Sequence, residues 1–217
     1  MSRSEHRQRS RNETEQEWVP RTTLGNLVAT NKITSMKEIY ENGYRVQESG
    51  IIKKLLPGIK TEVIDVGIVQ KQTTNGEYTR FKALVAAGDE NGWLGIGQGK
   101  SKQMRIAIEK ATNQAYLNVS PVKLGCGSWE CRCDVQHSVP FKVRGRGGSV
   151  TVEIIPGPRG LGLVGGETPK TILTLAGVKD CWTRSFGSTS TLGSMAYAVY
   201  EALLSTYRIV TPKDWVT

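Results

Sequence analysis

Histidine is nearly absent, with only His6 and His137 in the chain. His6 sits in a polar tail and His137 among cysteines, which leaves little for imidazole acid–base chemistry. No Ser-His-Asp arrangement, carboxylate pair or nucleophile elbow is readable. No apolar run approaches the ~20 residues of a membrane span. The opening residues lack the apolar stretch of an export signal. The four cysteines are therefore expected in a reducing, cytoplasmic setting, without structural disulfides. Acidic residues are also in deficit: 20 Asp and Glu stand against 29 Lys and Arg, a net charge of +9. That balance points to a polyanionic partner, most often nucleic acid. Apolar content of 38% over 217 residues suffices for a lean core in one large domain or two small ones.

What is present centres on Tyr78 to Leu117. Phe81, Ala83, Val85 and Ala87 alternate with Arg80, Lys82, Leu84 and Ala86. A strand sends these sets to opposite faces, one apolar and one opening with cations beside Tyr78. Asp89-Glu90-Asn91-Gly92 is a turn signal, and Trp93, Leu94 and Ile96 begin a return strand. Ser101 is placed to cap a helix whose Met104, Ala107, Ile108, Ala111 and Ala115 fall on one stripe. Upstream, Glu62 to Gln72 is β-branched and strand-like, and Asn75-Gly76 signals a hairpin. The expectation is an α+β module, an antiparallel sheet with a helix packed on one face.

Residues 1–17 mix charges with almost no apolar side chain and read as a disordered tail, with Arg7, Arg9 and Arg11 available to phosphate. Residues 18–60 read as a helical extension too small for its own core, with Ser35 and Glu38 as a capping box and Gly43 as its stop. A second short helical pattern, Glu48 to Leu56, halts at Pro57-Gly58. The sheet and helix occupy residues 61–120, and 121–140 form an irregular linker. Residues 141–217 read as a second α+β domain. Its strands lie at Ser149 to Ile155 and Asp180 to Phe186, with a short helix from Pro169 to Ala176. Its long helix spans Ser190 to Tyr207, with Leu192, Met195, Ala196, Val199 and Leu203 on one face.

Three motifs carry chemistry. Gly95 to Ser101, GIGQGKS, follows a strand and opens a helix, as phosphate loops do. A Walker loop needs four residues between its first glycine and Gly-Lys-Ser, which puts that glycine where this chain has Leu94. The register disfavours nucleotide binding, though Lys100, Lys102 and Arg105 can meet a nucleic-acid backbone. Cys126-x4-Cys131-x-Cys133-x3-His137 has the ligand types of a structural Cys3His zinc site, although not the usual paired CxxC spacing. One structural zinc ion is expected there, with Cys181 a buried filler elsewhere. Finally, Lys142, Arg144 and Arg146 share a face of an extended segment rich in glycine and free of acidic residues, and Arg159 follows. This arm suits phosphate. Trp93 and Phe81 are expected in the core.

Two long runs resemble a known family. VQKQTTNGEYTRFKALVAAGDENGWLGIGQGKSKQMRIAIEKA is similar to the N-terminal domain of the small-subunit ribosomal proteins called S-five in bacteria and S-two in eukaryotes. VPFKVRGRGGSVTVEIIPGPRGLGLVGG and LTLAGVKDCWTRSFGSTSTLGSMAYAVYEAL resemble its C-terminal domain. The likeness covers about residues 17 to 211 in the family's order, and the WVPRTTLGNLV opening and cysteine-bearing insert look archaeal. The resemblance implies a double-stranded-RNA-binding-like first domain and a second with a left-handed βαβ crossover. It implies binding to small-subunit ribosomal RNA near the entrance for messenger RNA, beside the third and fourth proteins of that subunit. It further implies a role in subunit assembly and decoding accuracy, with the hairpin from Lys71 to Arg80 reaching the RNA of the head and neck.

The expected RNA-binding set is Lys71, Arg80, Lys82, Lys100, Lys102, Arg105, Lys123, Lys142, Arg144, Arg146 and Arg159. Neither a membrane nor a small-molecule substrate is expected, though messenger RNA is a further candidate partner. The rival readings are a free-standing double-stranded RNA-binding regulator and an NTP-dependent enzyme using Gly95 to Ser101.

Overall fold

The computed structural model describes residues 18–208 apart from 132 and 134. The tail 1–17, with Arg7, Arg9 and Arg11, lies outside the described residues. Two compact units divide at Leu55 and Leu56.

The first unit holds three short helices: α1 (Thr23–Ala29), α2 (Met36–Glu41) and α3 (Ser49–Leu55). Ser35 Oγ accepts the Glu38 N–H at 3.3 Å and lies 3.2 Å from Glu38 Oε1, so the capping pair forms as expected. At the other end of α2, the Tyr44 N–H reaches Ile39 O at 2.9 Å and the Gly43 N–H reaches Tyr40 O at 3.1 Å. That is a Schellman stop, and Gly43 takes the left-handed φ of 69° it requires. Leu24, Val28, Met36, Ile39, Ile51 and Ile52 are buried. Glu48 fastens the chain ahead of α1. Its carboxylate accepts Trp18 Nε1–H at 2.7 Å and the N–H groups of Arg21 and Thr22 at 2.9 and 2.6 Å.

The second unit begins with β1 (Lys60–Thr73), β2 (Gly76–Gly88) and β3 (Trp93–Ser101), followed by α4 (Met104–Leu117) and β4 (Ser120–Pro121). The sheet is antiparallel, in the order β1-β2-β3-β4. The β1–β2 turn falls on Thr74-Asn75, one residue before the expected pair, and Gly76 follows with φ 116°. Pairing with β3 stops at Phe81, so the hairpin continues alone for roughly 20 Å at strand rise.

The structure corrects the reading of GIGQGKS. The whole segment lies within β3, so it forms no loop. Ser101 caps nothing: the N-cap of α4 is Gln103, without a side-chain bond. Gly95, Gly97 and Gly99 share one face because a strand alternates. Against them lie Ala115, Ala111 and Ala107 of α4, and a Cβ on any of these glycines would overlap helix backbone. The glycines serve close packing rather than a phosphate. The helix stripe is accordingly narrower than expected: Ala107, Ala111 and Ala115 are buried, whereas Met104 is exposed. Phe81 is half-buried against this layer, and Trp93 is half-buried as well.

The other face of the sheet is also covered. Leu84, Ala86, Leu94 and Ile96 join a core with Val152, Ile154, Ile172, Leu173, Val199 and Leu203. Those come from β5 (Val143–Gly147), β6 (Val150–Pro156), β7 (Leu163–Val164), α5 (Glu167–Ala176), β8 (Cys181–Phe186) and α6 (Leu192–Leu204). A 3-10 turn, Ser205–Arg208, completes the long helix expected to reach Tyr207. Leu192, expected on the buried face of α6, is exposed at its first turn. The second sheet runs β5-β6-β8-β7 and is antiparallel except for β7 and β8, which α5 joins as a βαβ unit. Cys181 is buried, as expected of a filler. The α+β class holds for both sheets.

Candidate nucleic-acid interface and metal centre

Alternation along β2 puts Tyr78, Arg80 and Lys82 on one face, opposite the α4 face. Lys82 pairs directly with Lys100 of β3, so their side chains share that face. Lys102 lies just beyond, its Nζ 5.5 Å from the Tyr78 ring centroid, and the Arg80 guanidinium stands 4.9 Å from the same ring. The Arg80 hydrogen bond, with Lys102 adding to it, draws the Tyr78 hydroxyl below the usual phenol range. Two expected cations, Arg80 and Lys102, thus flank one exposed aromatic, with the Lys82–Lys100 pair on the same face of the sheet. Lys71 lies apart on the exposed hairpin, and Arg105 sits in the first turn of α4. Lys123 is half-buried, its backbone N–H on Thr206 Oγ1 at 3.0 Å.

Lys142, Arg144 and Arg146 do project from one side of β5, where Val143, Gly145 and Gly147 point inward. The expectation of a row without an acidic partner is corrected. Lys142 Nζ meets Glu153 Oε2 at 2.8 Å, and Arg144 pairs with Glu153 in register. Across β6, Glu153 also faces Arg184. The Lys142 hydrogen bond, aided by Arg144 and Arg184, holds the Glu153 carboxyl below its usual range. Gly145 and Gly147 do not cradle phosphate either: a Cβ on them would strike the α6 backbone. Sequence reasoning missed Arg184 and Glu153, which only the strand register brings beside Arg144.

The Sγ atoms of Cys126, Cys131 and Cys133 and a ring nitrogen of His137 all lie within 4.8 Å of one another. Cys131 and Cys133 Sγ are 2.9 Å apart, Cys133 and Cys126 Sγ 3.5 Å, and Cys131 Sγ and His137 Nε2 3.6 Å. Two bonds from one tetrahedral ion to such donors span about 3.5 Å, so the set fits a single metal. His137 is buried, and its Nδ1 stands 2.8 Å from Asp180 Oδ2. A carboxylate there accepts the Nδ1–H and leaves the Nε2 lone pair facing the thiols, as an imidazole ligand requires. Asp180, 43 residues away in the chain, was not visible as part of this centre. The Cys133 hydrogen bond, the Arg159 backbone N–H and His137 draw the Cys131 thiol down to about 6. Cys133, beside that thiolate, is pushed up to about 11.

Among the described residues no helix is long and apolar enough to cross a membrane. Residues 59–123 match the description "Ribosomal protein S5, N-terminal domain", and residues 145–213 match "Ribosomal protein S5, C-terminal domain". The chain is 66% identical over 203 residues to small ribosomal subunit protein uS5 of Cenarchaeum symbiosum, covering 93% of each. It is 53% identical to the protein of that name from Thermofilum pendens, covering 92% of this chain and 98% of the relative. The counterpart from Sulfurisphaera tokodaii is 51% identical over 201 residues, with 93% of this chain and 94% of the relative covered. The chain belongs to the ribosomal protein S5 family, a family of structural small-subunit proteins and not of enzymes.

Proposed function

We propose that this chain is a structural constituent of the small ribosomal subunit in the cytoplasm and binds folded ribosomal RNA by its backbone. The observation that carries this reading is the pairing of Lys82 with Lys100, flanked by Arg80 and Lys102 around Tyr78. Like charges set opposite one another repel, and a polyanion relieves them. The family's identity agrees with that chemistry. It leaves the free-standing regulator without support, and the strand form of Gly95 to Ser101 removes the basis for an NTP enzyme.

In finer terms, residues 61–120 and 141–217 would act as two RNA-facing modules, the second through Arg144, Arg146 and Arg159. The hairpin carrying Lys71 would reach RNA near the messenger entrance, beside the third and fourth proteins of the subunit. It would thereby support assembly and decoding accuracy. The Cys126, Cys131, Cys133 and His137 centre would hold one structural zinc ion, the metal suited to three thiolates and an imidazole. Bound there, zinc would supply no reaction; it would tie an apolar-poor segment into a fixed shape.

The test is crosslinking of the full chain to RNA in intact subunits. The joint variant Arg80→Ala, Lys82→Ala, Arg144→Ala, Arg146→Ala accompanies it in a binding assay across salt. Crosslinks at these positions and a flatter salt slope are expected. An unchanged slope removes these residues from the interface. Absence of the chain from small subunits on sedimentation overturns the whole reading.

A further inference from the structure

The residues around the cysteine cluster are joined to a second element that carries a cation. Between β6 and β7 the chain forms a loop, Gly157 to Gly162, with Arg159 exposed on it. Gly160 and Gly162 take left-handed φ values of 88° and 76°, a shape that needs glycine and an external hold. Part of the hold is the loop's own, from the Leu161 N–H to Pro158 O at 3.3 Å and the Cys181 N–H to Gly162 O at 3.2 Å, and part comes from the surroundings of the metal centre. Asp180 Oδ1 accepts the N–H of Gly160 at 3.1 Å and of Gly162 at 2.8 Å. Its other oxygen, Oδ2, meets His137 Nδ1. The Arg159 backbone N–H lies on the Cys131 side of the loop and helps to lower that thiol. Ser138 Oγ accepts the Gly157 N–H at 3.4 Å while donating to Asp180 O. One buried carboxylate therefore links a candidate metal-ligand histidine to two amides of a loop.

We propose that the Cys126, Cys131, Cys133 and His137 centre sets the conformation of the Gly157 to Gly162 loop through Asp180, so that metal occupancy and phosphate binding at Arg159 are coupled. This inference rests on the zinc and RNA reading above. Asp180 is the positioning residue. It needs both oxygens as acceptors, one for imidazole N–H and one for the paired amides. Losing the metal frees His137 to turn away from Asp180, and that movement releases the loop. Ordering the loop costs conformational entropy, and a loop already ordered by metal presents Arg159 to a phosphate without that cost. Linkage then requires the converse: RNA bound at Arg159 tightens the metal by the same factor.

The experiment uses the full reduced chain, zinc alone as the metal, and a transcript of the small-subunit ribosomal RNA. RNA affinity is measured across salt for the native chain and Arg159→Ala, each zinc-loaded and chelated. In the loaded chain, Arg159→Ala should weaken binding and lower the salt slope by about 0.7–0.9. In the chelated chain that penalty should vanish, and the Gly160 and Gly162 amides should exchange freely.

Asp180→Asn serves where chelation unfolds the protein. An amide accepts at one end only. If its nitrogen faces His137, zinc affinity should fall about 10–100-fold. If its nitrogen faces the loop, the Gly160 and Gly162 amides should lose protection. In the second case Arg159→Ala should add no further RNA penalty; in the first, the penalty should return only at saturating zinc.

An Arg159 penalty equal with and without zinc, or Asp180→Asn with native zinc affinity and native amide protection, overturns the coupling while leaving the function reading intact. A chain that neither carries nor takes up zinc overturns the coupling together with the zinc assignment.

Discussion

Lys82 stands directly opposite Lys100 in the antiparallel register of β2 and β3. Two like charges so placed cost about 0.2–1 kcal/mol in the free protein. Replacing one should therefore move stability and binding in opposite directions. Lys100→Gln should raise the urea midpoint of the free chain by an amount equivalent to a few tenths of a kcal/mol. The same variant should weaken RNA binding and lower its salt slope by about 0.7–0.9. Urea melts and salt titrations on one preparation check both signs, and a variant less stable than the native chain would refute the strain.

Gly97 tests the packing account of GIGQGKS. A Cβ there meets Ala111 O and Ala115 N, both backbone atoms that no rotamer change can move. Gly97→Ala should cost about 1–3 kcal/mol as an overpacked contact. Chemical denaturation measures it. Lys100→Ala, by contrast, should leave the fold intact, and neither the native chain nor this variant should bind ATP saturably.

Local signals in the sequence were dependable where a few neighbouring residues determine the outcome. Ser35 and Glu38 cap α2, and Gly43 stops it in the left-handed conformation, because caps act over one helical turn. The alternation through Phe81 and Val85 likewise gave β2 its two faces. GIGQGKS misled because glycine before Lys-Ser looks the same whether it frees a loop or admits a helix. Only the alanines at Ala107, Ala111 and Ala115, read together with the glycines, distinguish the two. The acidic partner of Lys142 was hidden because Glu153 arrives through hairpin register, 11 residues from its cation. Asp180 was hidden for the same reason over a longer span, since a side chain that orients a ligand carries no spacing rule. The four clustered donors themselves were legible because they fall within a dozen residues and are brought together in the fold.

Glu48 gives the first unit an acid-sensitive fastening. Burial pushes its carboxyl up, but hydrogen bonds from Arg21, Thr22 and Trp18 outweigh this and hold it below its ordinary value of 4.5. A carboxyl lowered by folding contributes stability above its unfolded pKa and loses it as pH falls through the folded value. The N–H groups of Arg21 and Thr22 should thus keep their exchange protection at neutral pH and lose it in acid, below pH 4.5. Glu48→Gln keeps one acceptor but no charge. It should be looser at pH 7 and nearly indifferent to acid, as amide exchange of residues 18–25 can show. Equal acid sensitivity in native and variant chains would rule out this carboxyl.

In the metal-free chain the cysteines should react in a fixed order. Thiolate, not thiol, attacks an alkylating agent. With Cys131 drawn down to about 6, its alkylation rate in the folded, metal-free chain should reach half its plateau near pH 6. Cys133, pushed up to about 11 by the neighbouring thiolate, should lag until Cys131 is capped. Its value should then relax towards the ordinary ~8.5 of a free thiol. Cys181, raised to about 12 by burial and by Asp180, should react only on unfolding. Adding zinc should protect the three clustered thiols together and leave Cys181 unaffected. Peptide mapping after timed alkylation at several pH values reads the order. Simultaneous alkylation of Cys131 and Cys133 at neutral pH would show that the hydrogen bond between them does not control the site.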